Sequence, residues 1–341
     1  MNNINGFWHG AACLSGRLDL SVAFEQYGDR LPSLSPHELG RAGISTRHQK
    51  RLTQAPPLAT QHGVVCLTDT LYPNQLRQLP YAPPVLFYSG NIGRLQGPSV
   101  AIVGARRCTQ RGREIAQSMA SELADNGLVI VSGMAYGIDD AAHGACRGRT
   151  IAVLGEGLDA ATRGRKGKQI RAITDAGGLV LSEFPPNTHA SRHTFPQRNR
   201  VIAGLTQATI VVEATMRSGS RITARQAVDA GKDVMAVPGH PLDPTSVGCN
   251  ALIQEGAALV QNAQDVLRNM GFVPKDMPTK LPDAPDYPII LAALESPLSF
   301  DELVVHTQMG VPQLLTAIEA LELTGWVQRL PGDRLRRRNT P

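Results

Sequence analysis

Aromatic side chains are scarce in this chain: two Trp, six Tyr and seven Phe make up 4% of 341 residues. A site built mainly from stacked rings is therefore excluded, and a long polyanion would be held chiefly through its phosphates. Cysteine is equally thin. Cys13, Cys66, Cys108, Cys146 and Cys249 are scattered, odd in number and without a C-x-x-C pair. That usage excludes a disulfide framework and a zinc finger, and it points to a reducing, cytoplasmic setting. No apolar run approaches the ~18 residues that span a bilayer, and no signal-like segment opens the chain, so no membrane partner is expected. The motifs G-x-x-x-x-G-K-[ST] and G-x-S-x-G are both missing, which disfavours a P-loop hydrolase and a Ser/His/Asp hydrolase.

What is present is a modest excess of positive charge, 34 Lys and Arg against 29 Asp and Glu, with a pI near 9.1. The length suffices for two or three domains. Residues 1–65 carry helical spacing at Leu18, Leu20, Val22 and Phe24 and again around Leu39, Ile44 and Leu52, split by Pro32 and Pro36. The turn Gly40-Arg41-Ala42-Gly43-Ile44 reads as a plain helix–helix turn with no site residues.

Residues 66–272 alternate short apolar runs with helical patterns, which predicts a doubly wound, mostly parallel α/β sheet. Strands are expected at 100–104, 128–132, 150–154, 179–182, 209–212 and 234–237, with helices over 113–124 and 222–230. Residues 273–285 read as a Pro-rich linker. Residues 286–341 read as three helices and a hairpin, a winged helix with a basic tail of Arg329, Arg334, Arg336, Arg337 and Arg338. Its helix from Val311 bears Glu319 and Glu322 and no basic residue, which suits it poorly to a major groove.

Ligands of doubly wound sheets gather beyond the carboxyl ends of strands. Gly104-Ala105-Arg106-Arg107 falls there, with backbone amides and two guanidiniums able to meet one anion. Asp139 is placed to cap the helix that holds His143, and His143 reads as a hydrogen-bonded structural residue rather than a metal ligand. Gly155-Glu156-Gly157-Leu158-Asp159-Ala160 fits G-x-G-x-x-A and Glu183 follows the next strand. The motif starts at the third core strand, however, and 161–168 reads as a basic loop in place of a helix start, so no dinucleotide cofactor is expected. Phe195 to Arg200, followed by Ser218-Gly219-Ser220, adds arginines, an aromatic ring and a tight turn.

Together these segments resemble the DprA/Smf family. The resemblance rests on Tyr72-Pro73, Val103 to Arg106, Ser132-Gly133 through Asp139 with His143, Gly157-Leu158-Asp159, Ser182-Glu183, Phe195-Pro196 with Arg198-Asn199-Arg200, Val212-Glu213-Ala214, Ser218 to Ser220 with Thr223-Ala224, and Val237-Pro238-Gly239. It covers residues 70–260 strongly and the flanking modules weakly. It implies an extended Rossmann-like core with an N-terminal SAM-like helical module and a C-terminal winged helix. It further implies a non-catalytic homodimer that binds single-stranded DNA in natural transformation, protects it and helps load RecA, with no cofactor, metal or catalytic residue. Carried onto matching positions, Gly104, Arg106 and Arg107 form part of a phosphate pocket, Arg198, Asn199 and Arg200 flank it, and Ser218, Gly219 and Ser220 donate amides. Phe195 is either a stacking face or a core plug. Arg163, Lys166 and Lys168 lie on a loop that departs from the family pattern, where they either reach a DNA backbone or are merely solvated. Glu213 is expected to partner an arginine. Two other readings stay open: a nucleoside-phosphate hydrolase, whose P-G-G-x-G-T loop is replaced here by Glu213 to Ser220, and a protein-binding adaptor.

Overall fold

The computed structural model describes residues 2–146, 148–162, 164–272, 287–323, 326–330 and 334–337. The chain divides into two units, Met1–Phe272 and Val273–Pro341.

The first unit opens with β1 (Asn2–Ile4) and four short helices, α1 (Gly6–Cys13), α2 (Ser21–Tyr27), α3 (Pro36–Arg41) and α4 (Thr46–Gln54). Strand β2 (Leu58–Thr60) pairs back antiparallel with β1. The boundaries follow local chemistry: Ser35 and Glu38 form a capping box around Pro36 at the start of α3. Gly10 of α1 lies against the backbone of Arg51 and Leu52, so α1 and α4 approach closely. The apolar residues of these helices, among them Trp8, Leu20, Leu39 and Leu52, join one core with Phe87, Val180 and Leu181 of the main sheet. The helical module is thus seated on the sheet.

That sheet has nine strands: β3 (Gly63–Cys66), β4 (Val85–Gly90), β5 (Ser99–Val103), β6 (Val129–Ser132), β7 (Thr150–Leu154), β8 (Leu179–Ser182), β9 (Ala208–Val211), β10 (Asp233–Ala236) and β11 (Ala258–Leu259). Their order is β11-β10-β9-β5-β6-β7-β8-β4-β3. The pairings of β4 with β3 and with β8 are antiparallel, and the rest are parallel. All six expected strands are present within a residue of their expected ends. The hairpin β3–β4 and the edge strand β11 were not anticipated. Pro83 and Pro84 run straight into β4, and β11 has only two residues, so neither shows an apolar run bounded by turns.

Between strands lie α5 (Asn74–Arg77), α6 (Gln110–Asp125), α7 (Ile138–Ala145), α8 (Leu158–Ala161), α9 (Gly164–Asp175), α10 (Thr194–Leu205), α11 (Gly219–Asp229), α12 (Val247–Gln254) and α13 (Ala263–Asn269). Helices α6, α7 and α13 bury Met119, Leu123, Ile138 and Leu267 in one core, whereas α9 to α12 bury Ile173, Ile202, Ala224 and Leu252 in the other. The sheet is therefore covered on both faces. Strand order reverses between β5 and β9: β6 to β8 extend one way and β9 to β11 the other. A crevice opens at such a switch point, beyond the carboxyl ends of the two strands.

The expected loop at 161–168 is instead helical, with α8 ending at Ala161 and α9 beginning at Gly164. Gly164 at φ +65° and Gly167, whose α-carbon faces the Thr162 carbonyl, disguise the start because glycine is a poor helix former. Burial of Gly167, Ile170 and Ile173 along one side sets the helix despite that propensity.

The second unit contains α14 (Pro288–Ala293), β12 (Leu298–Ser299), α15 (Phe300–Thr307), α16 (Val311–Leu323), β13 (Val327–Leu330) and β14 (Arg334–Arg337), with strand order β12-β14-β13. Leu291, Leu303, Ile318, Leu321, Val327 and Leu335 fill its core. Three helices on a small antiparallel sheet make a winged helix. The expected linker 273–285 and Arg338 lie outside the described residues. No helix among the described residues is long and apolar enough to cross a membrane.

His143 illustrates how tightly α7 packs on the sheet. Its Nδ1 lies 2.7 Å from Thr150 Oγ1, whose hydroxyl donates to the Ile130 carbonyl. The Thr150 oxygen therefore accepts from Nδ1–H, and the ring is neutral. Burial, aided by the charge of Arg198, lowers its pKa from 6.5 to about 4. The unfolded chain then binds a proton that the folded chain refuses, so stability falls as pH drops from about 6.5 towards 4. Unfolding free energies from urea titrations at pH 7 and pH 5 are expected to differ by about 2 kcal/mol from this residue. His143→Gln should remove that part of the difference, and an unchanged pH dependence in the variant would refute the assignment.

Candidate nucleic-acid interface

A cavity of about 290 Å³ occupies the switch-point crevice. Val103, Gly104 and Arg106 enter it from the end of β5, Ala135 and Asp139 from the end of β6, and Ser218 to Ser220 and Thr223 from the start of α11. Helix α10 supplies Phe195, Arg198, Asn199 and Ile202. These are positions i, i+3, i+4 and i+7, one face of a helix.

Arg198 forms the floor. Only 4% exposed, it donates from Nη1 to the Gly133 carbonyl at 2.6 Å and to the Val153 carbonyl, and from Nε to Asn199 Oδ1 at 3.1 Å. Gly133 is required beside it, since a β-carbon there would lie 2.6 Å from the guanidinium nitrogens. Asp139, also buried, accepts from the amides of Gly133 and Ala135 at 3.1 and 3.3 Å. Burial raises its carboxyl pKa, and the charge of Arg198 and these amides oppose that rise. Burial also lowers the Arg198 pKa to about 10, with Asp139 acting against it and Arg106 reinforcing it. Arg198 remains a cation at neutral pH, so two guanidiniums address one small cavity.

Arg106 is exposed and its guanidinium lies 5.3 Å from the centroid of the Phe195 ring. The other side of the ring meets Gly155, where a β-carbon would come within 2.9 Å of Phe195 Cδ1. Phe195 is thus half-buried between a glycine and an arginine, and it aims Arg106 at the cavity. On the far bank, Ser218 caps α11: its Oγ accepts from the Ser220 amide at 3.3 Å and lies 2.7 Å from Ser220 Oγ. The positive end of α11 therefore borders the same space. Glu213 ties the banks together by accepting from both the amide and the hydroxyl of Thr109, the residue that caps α6.

Residues 63–271 match the family model described as DNA recombination-mediator protein A, and residues 273–333 match the DprA winged helix domain. The chain is 46% identical over 209 residues to the DNA processing protein DprA of Streptococcus pneumoniae, spanning 60% of this chain and 73% of that protein. It is 32% identical over 328 residues to the protein Smf of Escherichia coli, spanning 88% and 87%. The chain belongs to the DprA/Smf family. In solved structures, S. pneumoniae DprA superposes with a TM-score of 0.66 at 37% identity, covering 78% of this chain and 98% of that one. DprA from Helicobacter pylori, described for its single-stranded DNA binding mode, gives 0.56 at 31% identity over 62% and 95%.

Within this DprA/Smf core the expected site residues separate. Gly104, Arg106, Phe195, Arg198, Asn199, Ser218, Gly219 and Ser220 meet in the crevice, whereas Arg107 is exposed and does not line it. Arg200 does not join them. Two residues beyond Arg198 on a helix, it points elsewhere, donating to the Tyr81 carbonyl at 2.7 Å and pairing with buried Glu183. Lys166 pairs with Glu156, Lys168 is exposed on α9, and Arg163 lies outside the described residues. Glu213 partners Thr109 and no arginine. Asp139, rather than capping α7, sits inside its first turn and holds the preceding loop. Gly155 and Gly157 serve packing, the latter against the carbonyls of Pro185 and Pro186, which accounts for the G-x-G pattern without a dinucleotide.

Among the described residues no group of three His, Cys, Asp or Glu is placed to hold a metal ion. The sequence reading missed the cavity-lining roles of Ala135 and Asp139, although their place just after β6 is the same signal that marked Arg106.

Removing Arg198 would leave the carbonyls of Gly133 and Val153 without their donor and take away the charge that opposes the burial of Asp139. Arg198→Met is expected to destabilise the larger unit by about 3–5 kcal/mol, and Arg198→Lys should recover little because an ammonium cannot repeat the planar fork. Urea unfolding of the full chain tests this; a loss below about 1 kcal/mol for Arg198→Met would show the guanidinium to be dispensable.

Proposed function

We propose that the crevice holds the backbone of single-stranded DNA, and that the protein is a non-catalytic DNA-processing protein of transformation and recombination. The observation that carries this reading is the presence of Arg106 and Arg198 at one cavity, with Asp139 the one acidic side chain that lines it and the N-terminus of α11 at the same space. Excess positive potential in a small polar space calls for an anion, and a phosphodiester fits both the charge and the amide donors. The H. pylori relative, described for its single-stranded DNA binding mode, supports the choice of ligand. The proposed contacts are Gly104, Arg106, Arg107, Asn199, Ser218, Gly219 and Ser220, with Phe195 orienting Arg106 and Lys168 extending the basic track.

On the family's pattern, the protein would act in the cytoplasm as a homodimer that protects incoming strands and helps load RecA onto them. Glu213, the residue a nucleoside-phosphate hydrolase would need, is occupied in joining the Thr109 turn to β9. That use favours binding over turnover.

A salt series separates the arginines. Arg106→Ala should weaken binding of a homopolymeric single strand and reduce the slope of log K against log salt by about 0.7, the share of one phosphate. Arg200→Ala should leave the slope unchanged, since that side chain is spent on Glu183. If Arg106→Ala changes neither affinity nor slope, or if a mononucleotide competes as well as a strand, the groove reading is wrong.

A further inference from the structure

Only two aromatic side chains are exposed among the described residues, Tyr81 and Tyr136, and Tyr136 is the more open at 59%. Its position is not casual. It lies in the loop after β6, directly following Ala135 of the cavity wall and preceding Gly137. The backbone at Gly137, at φ +85°, packs against the neighbouring loop so closely that a β-carbon would come within 2.7 Å of the Arg106 carbonyl oxygen. The amide of Ile138 donates to the Ala105 carbonyl at 3.3 Å. Tyr136 is thus carried next to the Arg106 loop by backbone contacts at the two residues that follow it, Gly137 and Ile138.

The ring is also held. The guanidinium of Arg165, from the first turn of α9, lies 4.6 Å from its centroid. Arg165 is in turn anchored by Asp140, to which it donates at 2.7 Å, and Gln169 donates to the same carboxylate. An apolar ring kept in water by a three-residue brace, at the carboxyl end of a strand next to a phosphate pocket, has the form of a stacking platform. Every nucleobase presents a π-face to such a surface.

We propose that Tyr136, backed by Arg165 and Asp140, stacks one base of a single strand whose phosphate is held at Arg106. This rests on the single-strand reading above. It assigns to the β6 loop a base contact that phosphate chemistry alone does not supply, and it leads the strand from the crevice towards α9 and Lys168.

The test compares a homopolymeric thymidine strand with an abasic strand of equal length, which keeps the phosphates and lacks the bases. Tyr136→Ala should weaken binding of the thymidine strand by about 5- to 100-fold, leave the abasic strand unchanged, and be rescued by Tyr136→Phe. Tyr136→Trp should bind as well as the parent and show indole quenching with the thymidine strand only. An equal loss on both strands, or no loss on either while Arg106→Ala still weakens both, would overturn the stacking assignment and leave the groove reading standing. If Arg106→Ala has no effect on either strand, the groove reading itself fails. Because the side chain is exposed, the thermal midpoint of Tyr136→Ala should stay at the parent value, and a fall there would mark a structural role instead.

Discussion

The arrangement depends on one buried cation. Arg198 reaches from α10 to the carbonyls of Gly133 and Val153, at the carboxyl ends of β6 and β7, and leans on the charge of Asp139. Burying a guanidinium is costly unless its donors and charge are matched. Matching them here joins three elements at one point. Gly133 must lack a side chain to admit the guanidinium, Asp139 must be held by the Gly133 and Ala135 amides, and α10 must lie where its first turn brings Phe195 against Gly155. Arg106 is then positioned by Phe195. An exposed, cavity-lining arginine is thereby oriented through a chain that begins with a buried structural one.

Helix α10 works on two faces. While Phe195, Arg198, Asn199 and Ile202 line the crevice, Gln197 and Arg200 face the helical module. Gln197 donates to the Ser15 carbonyl at 2.7 Å and to Glu183 at 3.2 Å, and Ser15 also donates to Glu183. Burial raises the Glu183 carboxyl pKa, while Arg200, Ser15 and Gln197 counter the rise. The N-terminal helices are therefore seated by a polar network as well as by apolar packing, and α10 contributes both to that network and to the crevice. A polar cluster of this kind fixes the seating more narrowly than apolar contact alone, because a small displacement leaves buried groups unmatched.

Legibility followed burial. Strands β7 and β8 were readable to the residue because each is an apolar run buried on both faces. The site was readable as far as strand ends mark it, at Gly104 to Arg107 and at Ser218 to Ser220. It was misread where a helix had to be turned in space. Phe195-Pro196 resembles a loop start, so Arg198 and Arg200 looked like neighbours on one wall, whereas the 100° step of a helix sends them apart. The same cause hid α9: glycines and cations at its start imitate a loop, and only packing of Ile170 and Ile173 on the sheet reveals the helix. Glu213 was assigned an arginine because charge invites charge, but the nearest donors were an amide and a hydroxyl at the cap of α6.

These corrections alter how the positive charge should be weighed. Lys166, Arg165 and Arg200 each meet a carboxylate within the fold, so they contribute less to an outside anion than a count of basic residues implies. Arg198 spends Nε and Nη1 on the fold, so it can add potential and, beyond that, only the hydrogen bonds of Nη2. Arg106, Arg107 and Lys168 carry no ion pair among the described residues, and of these Arg106 lines the crevice itself. On the proposed single-strand reading, long-range attraction and local contact are divided between residues: buried Arg198 sets the field and exposed Arg106 closes the contact. In such a division the pocket keeps its shape by itself, since Arg198 is held by the carbonyls of Gly133 and Val153 and by Asn199.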